Sequence, residues 1–185
     1  MPPLHPYLQI VLAALGISAA VIDIRTRRIP NPLVAAGIVA GFAGNYALHG
    51  TAGLKAAAIG FAVGFGVYFI LYLLHAMGAG DVKLMGTAGA IAGPGNWFWI
   101  FVFSAVLGAL FGLVLILFRG RLRRTAWNLA FIVRELMSFR APWLRREELD
   151  VNSPQALRMP HGLAIGLGII AFLAASRAGW LINQG

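Results

Sequence analysis

Asp23 and Asp81 are two of only three aspartates in a chain of 185 residues, and each stands at the end of a long apolar run. An ionisable group at membrane depth costs about 2.5–3.5 kcal/mol on insertion scales, so it points to a functional site by default. Two carboxylates sharing a site cannot both ionise cheaply, and the pair then holds a single proton. The ionised member can take a proton from a trapped water, which attacks a peptide carbonyl. The protonated member hydrogen-bonds the carbonyl oxygen and stabilises the developing tetrahedral species. This is the chemistry of an aspartyl protease, and it requires no metal, nucleotide or thiol.

Asp81 lies inside Gly78-Ala79-Gly80-Asp81-Val82-Lys83, read as a loop between spans. Without Cβ atoms, Gly78 and Gly80 let the backbone take unusual dihedrals and let an extended substrate approach closely. Lys83 serves either to steady the charge on Asp81 or to anchor at the headgroups, with anchoring the simpler role. Each acid also has a plainer reading. Asp81 fits a charge flanking a helix at an interface, and Asp23 fits an ion pair with Arg25, Arg27 or Arg28. His75 sits near the same boundary, as a structural histidine or a proton carrier. His5, His49 and His161 are scattered along the chain, and no spacing suggests a metal cluster.

The elements that would position these residues follow from composition. The chain is 59% hydrophobic and 11% charged, which is far too apolar for an ordinary soluble domain and indicates a polytopic membrane protein. No Cys is present, so a disulfide framework, a cysteine nucleophile and a cysteine zinc site are excluded. Lys and Arg number 15 against 6 Asp and Glu. They flank apolar spans and no recognition motif accompanies them, so they fix orientation and meet lipid rather than nucleic acid. The expected fold is an all-α membrane helix bundle of about six spans, forming a single domain over 1–185. Its predicted spans are Tyr7–Ile22, Leu33–Leu48, Leu54–Leu74, a short Leu84–Ala92, Trp97–Phe118, and Gly162–Ala175 extended toward Ile182.

Asn31 is expected to cap the second span with Pro32 at its first helical position. Gly93-Pro94-Gly95-Asn96 ends the short fourth run, which crosses only by borrowing residues from the loop before it. Trp97 and Trp99 are expected as interfacial anchors. Within the cytoplasmic stretch 119–160, Arg121, Arg124, Asn128 and Glu135 oppose Ala126, Ala130, Val133 and Met137 at helical spacing. That pattern predicts an amphipathic helix on the headgroups. Assigning the loops after the first, third and fifth spans to the cytoplasm places every Lys and Arg there except Lys55 and Arg177. Both termini then lie outside the cytoplasm. Spans two and three form a hairpin between the aspartates, which returns Asp81 to the cytoplasmic boundary where Asp23 was left.

Asp23 with Arg27-Arg28-Ile29-Pro30-Asn31, together with Gly78-Ala79-Gly80-Asp81-Val82-Lys83, resembles the prepilin peptidase family of inner-membrane aspartyl proteases. The order of spans, the basic stretch after span five, and Met159-Pro160-His161-Gly162 leading into the last span look like that family too. The resemblance covers about Val11 to Ala175. It implies Asp23 and Asp81 as the catalytic pair, with Gly78, Gly80 and Lys83 around them and no cofactor. The implied substrate is a prepilin or pseudopilin precursor, cut at the cytoplasmic boundary just ahead of its hydrophobic helix, usually after a glycine. Longer members carry a cytoplasmic region with paired cysteines and an N-methylating activity. This chain begins directly with its first span and has no Cys, so it is similar to the short peptidase-only branch of Flp or Tad-type pilus systems, with no methyltransferase domain expected. Two other functional classes are compatible with paired membrane acids: a small transporter or proton-conducting subunit, and a non-catalytic subunit of a secretion machine.

Overall fold

In the computed structural model, residues 4–120, 122–138 and 161–180 are described. Helix accounts for 89% of them, and no strand occurs among them. The helices are α1 (Pro6–Thr26), α2 (Asn31–Leu73), α3 (Ala79–Phe118), α4 (Leu122–Met137) and α5 (His161–Arg177). Helices α1, α2 and α3 are long and apolar enough to cross a membrane, and α5 is apolar and shorter.

The ends of α1 are set locally. Nδ1 of His5 accepts the Tyr7 amide at 3.3 Å and Pro6 occupies the first turn, where its missing donor is harmless. The helix closes at Arg27 in the left-handed region, whose amide donates to the Asp23 carbonyl at 2.9 Å. Pro30, extended at φ −66° and ψ 136°, is the residue before α2. Asn31 is therefore not the cap but the first helical residue, and its side chain turns to Lys83 instead.

Two glycines divide the long helices. Gly50 (φ 59°, ψ −142°) interrupts α2, and Gly93 (φ 73°, ψ 169°) interrupts α3. These are conformations in which an L side chain is strained. A Cβ at Gly53 would overlap the Asn45 carbonyl oxygen. Eight residues of unbroken helix would separate those positions by about 12 Å, so the chain doubles back at Gly50. At Gly93 the helix restarts on Pro94, which has no N–H to offer the Ala90 carbonyl. Asn45, buried between the two helices, donates to that carbonyl at 3.0 Å and to the Ile91 carbonyl at 3.1 Å. Asn96 donates to the Ala92 carbonyl at 3.1 Å. Side chains thus supply the donors that the break removes, as membrane-embedded backbone requires.

Close contacts give the direction of each segment. Gly37 and Gly41 lie against Thr87 and Ile91, so 31–49 runs parallel to 79–92. Gly60 and Gly64 lie against Gly89 and Met85, so 51–73 runs antiparallel to it. Trp97 and Phe101 follow Gly64 and Tyr68, which turns 94–118 back toward the starting end. Gly44 meets Tyr7, and Gly162 and Gly166 meet Asp23 and Ala20, which makes α1 antiparallel to both 31–49 and α5. The end of α1 and the starts of α2, α3 and α5 consequently share one end of the bundle.

The segment 79–92 is the axis of the fold. Leu84 to Gly93 are buried without exception. At about 21 Å it falls short of a ~30 Å hydrocarbon core, and protein rather than lipid surrounds it. The helix takes its first turn from residues expected to form a loop, because Gly78 rather than Lys83 is its N-cap. Trp97 also departs from expectation. It is 3% exposed and stacks on Phe101 at 5.5 Å, so it is a core residue rather than an interfacial anchor, while Trp99 is half-buried. Space for the indole comes from Gly64, where a Cβ would meet Nε1 at 2.7 Å.

Helix α4 is amphipathic, as the spacing predicted. Glu135 is buried while Trp127 and Met137 are exposed. Arg121, the side chains of Arg124, Ala126 and Val133, and the remainder of the expected interfacial stretch, from 139 to 160, lie outside the described residues.

Gly60 and Gly89 set the closest approach of α2 and α3, since a Cβ on either would overlap the other's carbonyl oxygen. Gly60→Val is expected to destabilise the protein by about 1–3 kcal/mol through overpacking. Gly66→Ala, which meets nothing within 4 Å, should leave thermal unfolding in detergent micelles unchanged or slightly later. Equal stability of Gly60→Val and the parent would contradict this helix crossing.

Candidate active site

Asp81 occupies the third position of α3, where the exposed amides of a helix N-terminus favour negative charge. The Gly78 amide donates to its Oδ2 at 3.2 Å, and the Asp81 amide donates back to the Gly78 carbonyl at 3.1 Å. The carboxylate thus caps its own helix, and the side chain is 8% exposed. Both glycines of this turn have ordinary dihedrals, contrary to expectation; neither is among the glycines of positive φ. Gly80 contributes closeness, since a Cβ there would meet Ile29 of the α1–α2 link at 3.3 Å.

Asp23 is placed differently. It lies in the last turn of α1, where a negative charge opposes the helix dipole. What answers it is another helix. The Leu163 amide at the start of α5 donates to Asp23 Oδ2 at 3.1 Å, across a sequence separation of 140 residues. A Cβ at Gly162 would stand 2.9 Å from the Asp23 carboxyl carbon, so α5 can press its first turn onto the acid only because that position is glycine. Asp23 is 6% exposed. Arg25, Arg27 and Arg28 are exposed, and the carboxylate turns inward to α5 rather than to them.

The two acids therefore lie at the same end of the bundle, each buried and each holding a backbone N–H at a helix N-terminus. Asp81 lies within electrostatic reach of both Asp23 and His161. Lys83 does not contact Asp81; its Nζ donates to Asn31 Oδ1 at 3.1 Å and ties the first turns of α2 and α3 together on the exposed side. His75 ends α2 in the left-handed region at φ 55°, its amide donating to the Tyr72 carbonyl at 2.9 Å.

His161 is the member that the sequence left unassigned. It is the first residue of α5 and half-buried, one residue from Gly162 and two from the Leu163 amide that holds Asp23. The only signal in the sequence was its place between Pro160 and a glycine-rich apolar run. Antiparallel packing of α1 and α5 is what brings it to the acids. Among the described residues no group of three His, Asp or Glu could hold a metal ion.

Because Asp23 caps α5, its amide replacement should preserve the fold better than its truncation. Asp23→Asn keeps an acceptor for the Leu163 amide, whereas Asp23→Ala orphans it. We expect Asp23→Ala to be less stable than Asp23→Asn by about 1 kcal/mol in thermal unfolding. Identical stabilities would mean that the cap contributes nothing.

Comparison with curated proteins and with solved structures gave no match. The model of the type IV leader peptidase family matches residues 10–113, more than half of the chain and a stretch that includes both aspartates and the whole segment between them. With the buried acids and the helix order on the same stretch, the chain belongs to the type IV leader peptidase family.

Proposed function

We propose that this protein is a membrane aspartyl endopeptidase that removes the leader from type IV pilin-like precursors of the Flp type, with Asp23 and Asp81 as its catalytic pair. The family supports a leader peptidase acting on a pilin precursor. The observation that carries the finer reading is the convergence of two buried carboxylates, from helices far apart in sequence, at one end of the bundle.

The chemistry proceeds from a singly protonated pair. The ionised carboxylate draws a proton from water, and the oxygen bonds to the scissile carbonyl carbon. The protonated carboxyl donates to the carbonyl oxygen as charge develops there. When the C–N bond breaks, a proton held by the pair passes to the departing amine. Helix N-termini behind both acids stabilise the negative charge without supplying a competing general acid. Gly78 and Gly80 keep the first turn of α3 slim beside Asp81, and Lys83 fixes that turn to α2.

In this reading the breaks at Gly50 and Gly93 make six crossings from four helices, α1, α2, α3 and α5, all within a single transmembrane peptidase domain. The end carrying the acids faces the cytoplasm of a bacterial inner membrane, since Arg25, Arg27, Arg28, Lys83 and Arg119 gather there while Lys55 lies near the Gly50 turn. The start of α1 and the end of α5 lie on the opposite side. A precursor's hydrophobic helix then rests among the spans, with its leader junction at the acids. A proton-conducting role fits less well, because it calls for acids near the midplane of discontinuous helices. Here the breaks at Gly50 and Gly93 lie at the opposite end from Asp23 and Asp81.

Co-expression with a pilin-like precursor tests the proposal through the precursor's size. Asp23→Asn and Asp81→Asn should each lower cleavage by about 10²–10⁴-fold or more while the protein stays inserted in the membrane. Normal processing by either variant would remove the acid pair from the mechanism.

A further inference from the structure

The catalytic pair as proposed uses two acids, yet a third titratable side chain stands at the same place. His161 is fixed at the first position of α5. The next two residues are both pressed on Asp23, Gly162 by contact and Leu163 by its 3.1 Å hydrogen bond. The backbone of His161 is therefore held beside Asp23, and its imidazole lies within electrostatic reach of Asp81. Helix α5 packs against α1 and α3. From α1 the charged group facing this corner is Asp23, and from α3 it is Asp81. Lys83 is turned to Asn31, Arg25, Arg27 and Arg28 are exposed, and Arg177 lies at the far end of α5 beside Gln9.

We propose that His161 is a positioning residue for the acid pair: held at the start of α5 beside the acids by the α1–α5 clamp, it takes up the next proton on acidification and keeps the pair singly protonated. The inference rests on the acid-pair reading above and adds a third group to it. Its physical basis is the sign of the charge. A protonated pair lacks a base, so the pair stops working when both carboxyls carry protons. A nearby imidazole that carries the additional proton is a cation, and it then opposes protonation of the carboxylates beside it. The cluster of two acids and one imidazole is also neutral with two protons aboard, which suits a half-buried corner at a membrane edge.

Two measurements test this. First, precursor cleavage is followed against pH for the full-length protein in lipid vesicles. In His161→Gln the acidic limb of kcat/KM should move to higher pH by about one unit, with KM near the parent value. In His161→Lys, which retains a cation, the limb should stay closer to the parent. An unmoved limb in His161→Gln, whether or not the rate falls, overturns the proposal, because a merely structural role lowers the rate without shifting the profile. Second, the imidazole signal of His161 is titrated by NMR with histidine-labelled protein in micelles. By reciprocity of coupling, Asp81→Asn should move its midpoint to lower pH. A titration indifferent to Asp81→Asn also overturns the proposal, and this measurement needs neither substrate nor a folded His161 variant. The outcomes separate cleanly. Normal cleavage by Asp81→Asn defeats the acid-pair reading, whereas loss of cleavage in that variant with an unmoved His161→Gln limb defeats only the role of His161.

Discussion

A carboxylate buried at the edge of an apolar bundle persists only where something answers its charge, and the rest of this structure is arranged around two such answers. Asp81 supplies its own by opening a helix and accepting the Gly78 amide. Asp23 cannot, because it closes a helix, and a negative charge there meets the wrong end of the dipole. It depends on the start of α5 coming back across the molecule to donate the Leu163 amide. That contact, with the packing of Gly16 and Ala20 against Gly166, holds the last described helix to the first and brings the start of α5 to the acids. Removing the Cβ at position 162 is its condition, since the first turn of α5 could not otherwise reach the carboxyl.

The acids are kept in place by unusually close helix packing. Residues 79–92 form a short central helix of mostly small side chains, enclosed by both halves of α2 and by its own continuation. Lipid offers no hydrophobic drive for helices to associate, so approach distance and satisfied polar groups do that job. The crossing of Gly60 and Gly89 supplies the first, and Asn45 supplies the second. Asn45 also explains how α3 can break at Gly93 inside the bundle. Its amide serves a carbonyl that Pro94 cannot serve, so the break costs less than an orphaned backbone group would. A rigid axis of this kind suits the proposed site, in which two acids share one water.

Several features were legible in the residues alone because they depend on local chemistry or on the solvent. The apolar runs, the breaks between them at 49–53 and 93–96, and the amphipathic pattern of α4 all follow from which side chains lipid tolerates and which backbones glycine allows. The hairpin between Asp23 and Asp81 follows in the same way, since an even number of crossings returns the chain to its starting side. Where the local reading failed, tertiary packing had overruled it. Trp97 looked like an interfacial anchor because indoles favour headgroups, yet Gly64 opens a slot that buries it. Gly78 to Lys83 looked like a loop because glycines cluster there, yet the turn is helical because Asp81 caps it. Asn31 looked like a cap, yet Lys83 claims its side chain.

By itself the sequence determined an all-helical membrane chain, two acids at span ends, and basic residues clustered around them, because hydropathy and charge act residue by residue. It also carried the motifs that mark the family. Only the tertiary structure decided what stabilises Asp23 and which histidine joins the acids. Both depend on α1 and α5 packing antiparallel across about 140 residues of chain. No periodicity or spacing within either helix encodes that meeting, because it is set by which small residues on each helix allow the other to come close.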